Sequence, residues 1–352
     1  MGVRLLTLNL GIFTLLQFRA QSYGELIAYR FLIGISQGCF FPCVHYVLGS
    51  WYKGSEISRR GGMFYIGYPF GAITAGLIQS SATTHLDGIN GLVGWRWMFI
   101  ISSICTMPLG IIGFFIWPGT PDKPSRWWLT KEDISFAKAR LQKEGHAAPK
   151  GYSLATFKRV FSSWRVYVLV AWDITFWQSL LTASGSYILW LRSLNRFSTA
   201  LINNLSTTSP AVGIVAILLC NFGADLFRSR AGAITVTYTL HGIALFLLIL
   251  WTPRVPESAI WFAQNIVFVG LAISSVLYGW ANNILRHDAE ERAIVLVTMN
   301  AVAQSTTVWV PLLILKTVEA PRFQKAFITK FIFNCLNIIF TWIVFYLSRR
   351  DE

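Results

Sequence analysis

Charged side chains are scarce in this chain, and long stretches of it carry none. Only 13% of its 352 residues are charged, whereas a soluble domain has roughly 25%. Hydrophobic residues make up 54%, and several uninterrupted apolar runs reach the ~20 residues that a helix needs to cross a bilayer. These solid runs argue against a β-barrel, whose strands alternate between apolar and polar residues. The sequence therefore predicts a polytopic, all-α protein of the lipid bilayer.

Residue clusters that perform catalysis or bind metals are missing as well. The five cysteines are odd in number, lie in or beside apolar runs and lack metal-ligand spacing, which indicates small core residues. No His–Asp, Cys–His or metal-spaced group occurs in or beside the apolar runs. We therefore expect neither an enzyme nor a bound metal or cofactor. A cleavable signal peptide is not expected either, because the first apolar run has no small-residue cleavage site.

Acidic residues are few relative to basic ones. The chain has 16 Asp and Glu against 30 Lys and Arg, a net charge of +14. Nucleic-acid binding is one explanation, but the basic residues of a membrane protein gather in its cytoplasmic loops. Ten of them fall within residues 118–165. We therefore predict no nucleic-acid partner, a cytoplasmic 118–165 loop and, with an even number of spans, two cytoplasmic termini.

Ten apolar stretches are candidate membrane spans, and the first is the weakest because arginines bracket a short apolar core. The 118–165 loop divides them into residues 1–117, with four spans, and residues 166–352, with six. Within the loop, Thr130 is followed by acidic and then basic residues, which predicts the N-cap of a short amphipathic helix on the membrane surface. The ten stretches are about 4–20, 24–49, 60–80, 97–117, 166–191, 200–220, 231–251, 258–281, 293–315 and 326–347.

The second span carries polar residues on one helical face. Arg30 and Gln37 are seven residues apart, about two helical turns, so both side chains point the same way. Gly34 and Gly38 form a small-xxx-small pair, at which a neighbouring helix can approach closely. An arginine at the centre of a span costs at least ~2.5 kcal/mol, so it is usually functional or paired. Two interpretations stay open: Arg30 anchors an anionic substrate, or it is structural and snorkels to the membrane surface.

Asp173 is the one acidic residue that lies well inside a span, about two turns into residues 166–191. A carboxyl in that position suits a proton carrier. The alternative is a gate residue on the cytoplasmic side that pairs with Arg165 or another loop cation. Both interpretations stay open at this point.

Other polar residues of the spans have either a substrate or a structural role. Tyr68, Asn300 and Gln304 are candidates to line a cavity and bind a substrate, or to bond one helix to another. His241 lies in the middle of a span, and we expect a hydrogen-bonded core histidine there rather than a proton site. Lys330 is expected to snorkel outward from its span.

Seven motifs are spread over nearly the whole chain. They are Arg30–Gly34 with Pro42, Gly49–Glu56, Gly94–Ile100, Pro118–Pro124, Trp280–Asn282, Glu290–Ala293 and Ala320–Phe323. Together these motifs resemble the major facilitator superfamily, and within it the fungal allantoate permease family of anion:cation symporters. The last three are similar to the pantothenate and vitamin permease branch of that family.

The resemblance implies a monomeric transporter of a small organic anion that works by alternating access, with proton symport. A pantothenate-like carboxylate is the expected substrate, and allantoate, nicotinate and biotin are alternatives. The superfamily has twelve helices, and the first span here matches its third, so the resemblance implies a truncated bundle of about ten. A remnant that no longer transports is the rival interpretation.

The resemblance also implies roles for individual residues. Related symporters have a functional arginine at the position of Arg30, and often a proton-coupling glutamate at the position of Gln37. Because an amide cannot titrate, any proton must travel elsewhere. Glu56 and Arg60, four residues apart at a helix start, are expected to form an ion pair that helps to hold a cytoplasmic gate closed. Asp225 lies in the basic loop of the second half and is assigned to the same gate.

Overall fold

The computed structural model describes residues 2–38, 40–124, 129–145, 151, 153–180, 183–251, 255–315 and 322–351. Cys39 lies outside these residues. Of the other four cysteines, Cys220 is buried, Cys43 is half-buried, and Cys105 and Cys335 are exposed. The prediction of core cysteines is therefore wrong for these two, because their helices turn them outward.

Nearly all described residues are helical. One antiparallel pair of two-residue strands, β1 (Gly119–Thr120) and β2 (Lys123–Pro124), interrupts the helices. The helices are α1 (Gly2–Leu16), α2 (Tyr23–Gly38), α3 (Phe40–Trp51), α4 (Ile57–Tyr65), α5 (Gly67–His85), α6 (Gly94–Ile116), α7 (Lys131–Gln142), α8 (Leu154–Phe161), α9 (Trp164–Leu180), α10 (Ala183–Ser193), α11 (Thr199–Leu205), α12 (Thr208–Leu226), α13 (Arg230–Ile249), α14 (Glu257–Ile266), α15 (Ser274–Ile284), α16 (Ala289–Ile314) and α17 (Gln324–Asp351).

Eight helical stretches of the described chain are long and apolar enough to cross a membrane, and each coincides with a predicted span. The other two predicted spans are helical as well. α1 has 15 residues, and α4 and α5 are divided at Ile66. Both nevertheless pack within the bundle, α1 along α2 and α6, and α5 along α6, α11 and α12. The all-α membrane fold is confirmed.

The helices form two groups, which we call the first group (α1–α6) and the second group (α9–α17). Helix α1 packs mainly against α6 and α2, helix α9 packs mainly against α16 and α17, and helix α13 packs against α17, α12, α14 and the 3-10 segment Val267–Ile273. The two groups meet where α3, α4 and α5 pack against α11, α12, α15 and α16. Any ligand that both groups enclose must lie along this contact.

The 118–165 segment lies at one end of the bundle, which we call the loop end; the opposite end is the far end. Thr130 caps α7 as predicted: its hydroxyl accepts from the backbone N–H of Asp133 at 3.1 Å, and the Asp133 carboxylate accepts from the Thr130 N–H at 3.1 Å. The Thr130 hydroxyl also donates to the Asp133 carboxylate at 2.7 Å, and this hydrogen bond, together with the one from the Thr130 N–H, holds the pKa of Asp133 below its ordinary value. Trp51 ties the segment to α3, because its indole N–H donates to the Gly119 carbonyl at 2.7 Å.

Lys330 corrects one prediction, because it is fully buried and does not snorkel. It lies on the face of α17 that packs against α9 and α13, so its stem enters the protein interior rather than the lipid. Its ammonium nitrogen lies 5.7 Å from the centroid of the Phe327 ring and has no hydrogen-bond partner among the described residues. His241 fits its prediction, because its Nδ1 is 2.8 Å from Asn334 Oδ1 inside the second group.

Candidate functional site

A cavity of about 560 Å³ lies between the two helix groups, within the size range of small-molecule sites. Three of the predicted substrate residues, Gln37, Tyr68 and Gln304, line it. Gln37 comes from α2 and Tyr68 from α5 in the first group, and Gln304 comes from α16 in the second. The structure therefore brings together polar residues that are far apart in the sequence. We call this space the central cavity.

Aromatic side chains form most of the wall of the central cavity. Phe40, Phe64 and Trp177 line it, and the rings of Tyr65 and Tyr68 stack with centroids 6.0 Å apart. Against this apolar surface the amides of Gln37 and Gln304 are the polar groups that reach the cavity from opposite groups. An amide both donates and accepts hydrogen bonds. The cavity is therefore suited to a ligand with an apolar body and an amide-like centre.

Arg30 is not among the residues that line the central cavity. It is exposed, and its guanidinium carbon lies 5.7 Å from the centroid of the Phe99 ring. Gln37 follows seven residues later on the same helical face, which places it about 10 Å further along the axis. The shared face was a correct inference, but this axial distance separates the two side chains. Arg30 therefore lies nearer the far end than the cavity does.

The predicted close helix contact at Gly34 and Gly38 is not found among the described residues. A Cβ atom added at either glycine would meet nothing within 4 Å. Among the described residues, no neighbouring helix therefore approaches α2 closely at these two glycines.

Asn300 also lies apart from the central cavity. It is buried in the second group, one turn before Gln304 on α16. Its side-chain oxygen has no hydrogen-bond partner among the described residues. Asn300 is therefore placed to accept a hydrogen bond within the second group rather than to line the cavity wall.

Asp173 is fully buried on α9, and its Oδ2 accepts a hydrogen bond from the Tyr278 hydroxyl at 2.7 Å. Its second oxygen has no partner within the described part of the chain. Arg165, the cation suggested for it, instead binds Glu291 at 3.1 Å and Asp351 at 3.3 Å. The predicted pairing of Asp173 with Arg165 is therefore wrong, because Arg165 lies two turns nearer the loop end.

An aromatic layer separates Asp173 from the central cavity. Phe41 lines the cavity, and its ring centroid lies 5.8 Å from that of Tyr65 and 4.9 Å from that of Tyr278. Tyr278 in turn donates a hydrogen bond to Asp173, so its ring connects the cavity wall at Phe41 with the buried carboxyl. Sequence reasoning missed Tyr278. Its position four residues before Asn282 in an otherwise apolar span was the available clue, because that spacing puts both on one helical face.

At the loop end, polar contacts join the two groups. Arg59 of the first group binds Asp225 of the second, with its Nε at 3.3 Å and its backbone N–H at 2.9 Å from Oδ2. Arg292 donates to the Gly49 carbonyl at 3.1 Å and to the Ser50 hydroxyl at 3.2 Å. Arg292 therefore binds a carbonyl near the end of α3 that the helix itself leaves free. The sequence pointed to Arg292 as part of a motif but not to this contact.

Glycine makes part of the same contact possible. Gly62 of α4 lies so close to Asn221 of α12 that an added Cβ would be 2.8 Å from the Asn221 Cβ. Asn221 is buried and held by hydrogen bonds to the carbonyls of Ile217 at 2.8 Å and Ala272 at 3.1 Å. Because Asn221 is fixed, the two groups approach this closely only with glycine at position 62.

Glu56 and Arg60 do not pair with each other as predicted. Glu56 binds Arg140 of α7 at 2.6 Å, and the Arg60 guanidinium lies 5.1 Å from the centroid of the Tyr52 ring. Glu56 is the residue that precedes α4, with φ −113° and ψ −16°. Its backbone keeps the helical spacing, since its carbonyl accepts the Arg60 N–H at 3.3 Å, but its side chain turns to Arg140 instead. Glu56 instead ties the 118–165 segment to the first group.

Comparison with known proteins gives the family. The model of the Major Facilitator Superfamily matches residues 1–311, and the chain belongs to this superfamily. Two solved transporters share the fold. A proton:xylose symporter, XylE, has a TM-score of 0.67 at 14% identity, covering 98% of this chain and 78% of its own. The Escherichia coli fucose:proton symporter FucP has a TM-score of 0.62 at 12% identity, covering 97% and 83%.

Three curated relatives are similar in sequence. A vitamin H transporter of Saccharomyces cerevisiae is 36% identical over 97% of this chain and 58% of its own length. The pantothenate transporter liz1 of Schizosaccharomyces pombe is 29% identical over 97% and 66%. The pantothenate transporter FEN2 of Saccharomyces cerevisiae is 32% identical over 90% and 63%. The chain thus spans about three fifths of the length of these relatives, all of which are named as transporters rather than enzymes.

Proposed function

We propose that this protein carries a small organic anion, a vitamin carboxylate such as pantothenate or biotin, across the membrane by alternating access. The observation that carries the proposal is the central cavity, which both helix groups enclose. Its aromatic wall suits an apolar ligand body, and the amides of Gln37 and Gln304 suit the amide of pantothenate or the ureido group of biotin. The names of the three relatives support the same class of substrate. Membership in the allantoate permease family and the absence of two preceding helices stay predictions.

Arg30 completes the proposed substrate path. Its guanidinium is exposed, and it lies about two helical turns from Gln37 towards the far end. A ligand whose carboxylate is joined to its body by a flexible chain meets Arg30 with the carboxylate before its body enters the cavity. A guanidinium binds a carboxylate through two parallel hydrogen bonds. We therefore assign the anion anchor to Arg30 and the body of the ligand to the cavity.

We assign proton coupling to Asp173. Gln37 cannot exchange a proton, whereas the Asp173 carboxyl can. Tyr278 connects this carboxyl with the cavity wall at Phe41. One of its oxygens has no described partner, which leaves room for a proton there. A rearrangement of the aromatic layer around Phe41 then exposes the carboxyl to the cavity during transport.

The contacts at the loop end supply a gate. Alternating access requires the two groups to separate at this end, so Arg59 must release Asp225 and Arg292 must release Gly49. Glu56 and Arg140 hold the 118–165 segment against the first group, and Arg60 stacks beside them on Tyr52. We propose that the loop end is cytoplasmic and that the protein is a monomer of the plasma membrane, with residues 1–117 and 166–352 as its halves.

The test is uptake of labelled biotin and labelled pantothenate by the purified chain in proteoliposomes. Gln304→Ala removes an amide from the cavity wall, and Gln142→Ala removes one from the exposed face of α7 as the control. Losing a hydrogen bond of about 1 kcal/mol lowers affinity roughly fivefold, so Gln304→Ala should raise KM by this factor and Gln142→Ala should not. Equal behaviour of the two variants would remove the cavity from the substrate path. A chain that binds neither vitamin would support the rival interpretation, a remnant that does not transport.

A further inference from the structure

A second cavity, of about 900 Å³, opens at the loop end, and we call it the basic pocket. It lies where the turn between α3 and α4 meets the end of α7 and the loop-end termini of α12, α13, α15 and α17. It shares no lining residue with the central cavity. The basic pocket is therefore separate from the proposed substrate site, although one of its lining residues, Asp225, also forms the loop-end contact with Arg59.

Five cations line the basic pocket: Lys143, Arg228, Arg230, Arg286 and Arg349. Among the described residues, none of the five forms an ion pair with a carboxylate. They come from four separate stretches of the chain, so the fold assembles the positive charge in one place. Positive charges that are gathered in a concave site raise the local concentration of an anion.

The two carboxylates that line the pocket are already engaged. Asp225 binds Arg59 at 3.3 Å, and Glu144 accepts the backbone N–H of Gly54 at 3.0 Å. The pocket therefore faces the solvent with an excess of three positive charges over its two acids. A single carboxylate, the charge of the proposed substrate, does not balance this excess, whereas a group with several phosphoryl oxygens does.

The donors of the pocket are arranged for an oxyanion. Arg286 uses one terminal N–H for the Asn283 carbonyl at 3.4 Å, and its buried Nε has no described partner. Arg230 donates to the Gly54 carbonyl from one nitrogen and has further N–H groups free to bind. α13 also begins here, capped by Ser229, whose hydroxyl accepts the Gly232 N–H at 3.3 Å. The positive end of its helix dipole adds to the attraction of an anion.

We propose that the basic pocket binds a polyanion with phosphomonoester groups. Two sources carry this chemistry: a soluble phosphorylated compound, or the phosphorylated headgroup of a membrane lipid that reaches the pocket from the adjoining leaflet. The pocket is lined by Gly54 and Ser55 from the turn between α3 and α4 and by arginines of the second group, so an occupant that binds these arginines lies against both sides of the loop-end contact. Occupancy therefore favours the conformation in which the loop end is closed and slows any cycle that must open it.

The binding experiment uses the full chain in nanodiscs of phosphatidylcholine alone. Inositol hexakisphosphate is the soluble probe, and sodium sulfate of equal ionic strength is the control for screening. We expect saturable binding of one inositol hexakisphosphate per chain. The double variant Arg286→Gln/Arg349→Gln should weaken it at least tenfold, and Arg192→Gln, which removes an exposed cation from the far end, should weaken it less than twofold.

The lipid arm uses nanodiscs with and without 5% phosphatidylinositol 4-phosphate. A thermal stabilisation by this lipid that the double variant loses and Arg192→Gln keeps identifies the lipid source, and inositol hexakisphosphate should then compete with it. Arg286→Lys/Arg349→Lys keeps the charge and should restore part of the binding, provided that all variants elute as folded monomers. Absence of saturable binding in both arms, or equal losses in the double variant and Arg192→Gln, overturns the proposal. Neither result bears on vitamin transport, which proteoliposome uptake measures separately.

Discussion

Replacing the buried Lys330 by methionine should stabilise the protein. Its ammonium has no hydrogen-bond partner among the described residues and only the Phe327 ring nearby, at 5.7 Å. A lysine at the centre of a membrane helix costs about 2.5–3.5 kcal/mol. Lys330 lies six residues into α17, about 9 Å along the axis, so we expect a smaller cost. Methionine fills a similar volume without a charge.

The expected gain follows from two opposing contributions. Removing the buried charge returns about 2 kcal/mol, and losing the interaction with the Phe327 ring costs about 0.5–1 kcal/mol. The net stabilisation is about 1–1.5 kcal/mol, which corresponds to an increase in Tm of about 1–2 °C for a chain of this length. The measurement is thermal unfolding of the detergent-purified chain, with Lys158→Met on the exposed face of α8 as the matched control.

A Lys330→Met variant that unfolds at a lower temperature than the parent, while Lys158→Met is unchanged, would refute this reasoning. It would show that the ammonium is bound inside the protein and stabilises it. A loss of transport at unchanged or increased stability would have a different meaning, because Lys330 would then serve the transport cycle.

Three further predictions concern function. Asp173→Asn should abolish pH-driven accumulation of labelled vitamin but spare exchange, which needs no net proton movement; normal accumulation in this variant would exclude Asp173 as the carrier. Uptake should fall in the order parent, Arg30→Lys, Arg30→Ala, because an ammonium does not reproduce the fork of a guanidinium. A fully active Arg30→Ala at equal expression would contradict the anchor, and a loss of expression instead of affinity would make Arg30 structural. A cysteine introduced by Ser153→Cys should resist an impermeant thiol reagent in intact cells and react after permeabilisation; ready labelling of intact cells would reverse the proposed orientation.

The helices and their order were predictable because a membrane span is defined by one long apolar run, which depends little on tertiary context. The cap of α7 was predictable for a similar reason, since Thr130 and Asp133 interact within one turn. The central cavity was predictable in part. Gln37 and Gln304 were identified as polar residues within apolar helices, which the membrane makes costly unless they have a role.

The positions that were missed depend on which helices become neighbours. Periodicity shows that Lys330 shares a helical face with other residues, but not whether that face meets lipid or α13. The partner of Glu56 is 84 residues away in the sequence, and the nearer Arg60 was the better guess from spacing alone. Tyr278 became important only when α15 packed beside α9 and brought its hydroxyl to Asp173.

The close approach of Gly62 to Asn221 gives the loop end a property that an ordinary side chain there would remove. A methyl group at position 62 would lie 2.8 Å from both the Cβ and the Cγ of the fixed Asn221, so the two helices could admit it only by moving apart. Gly62→Ala is therefore expected to act as a wedge that keeps the two helix groups apart at this end. Such a variant would hold the protein in the opposite conformation of its cycle, where an inhibitor or antibody fragment could be selected against a surface that the closed form hides.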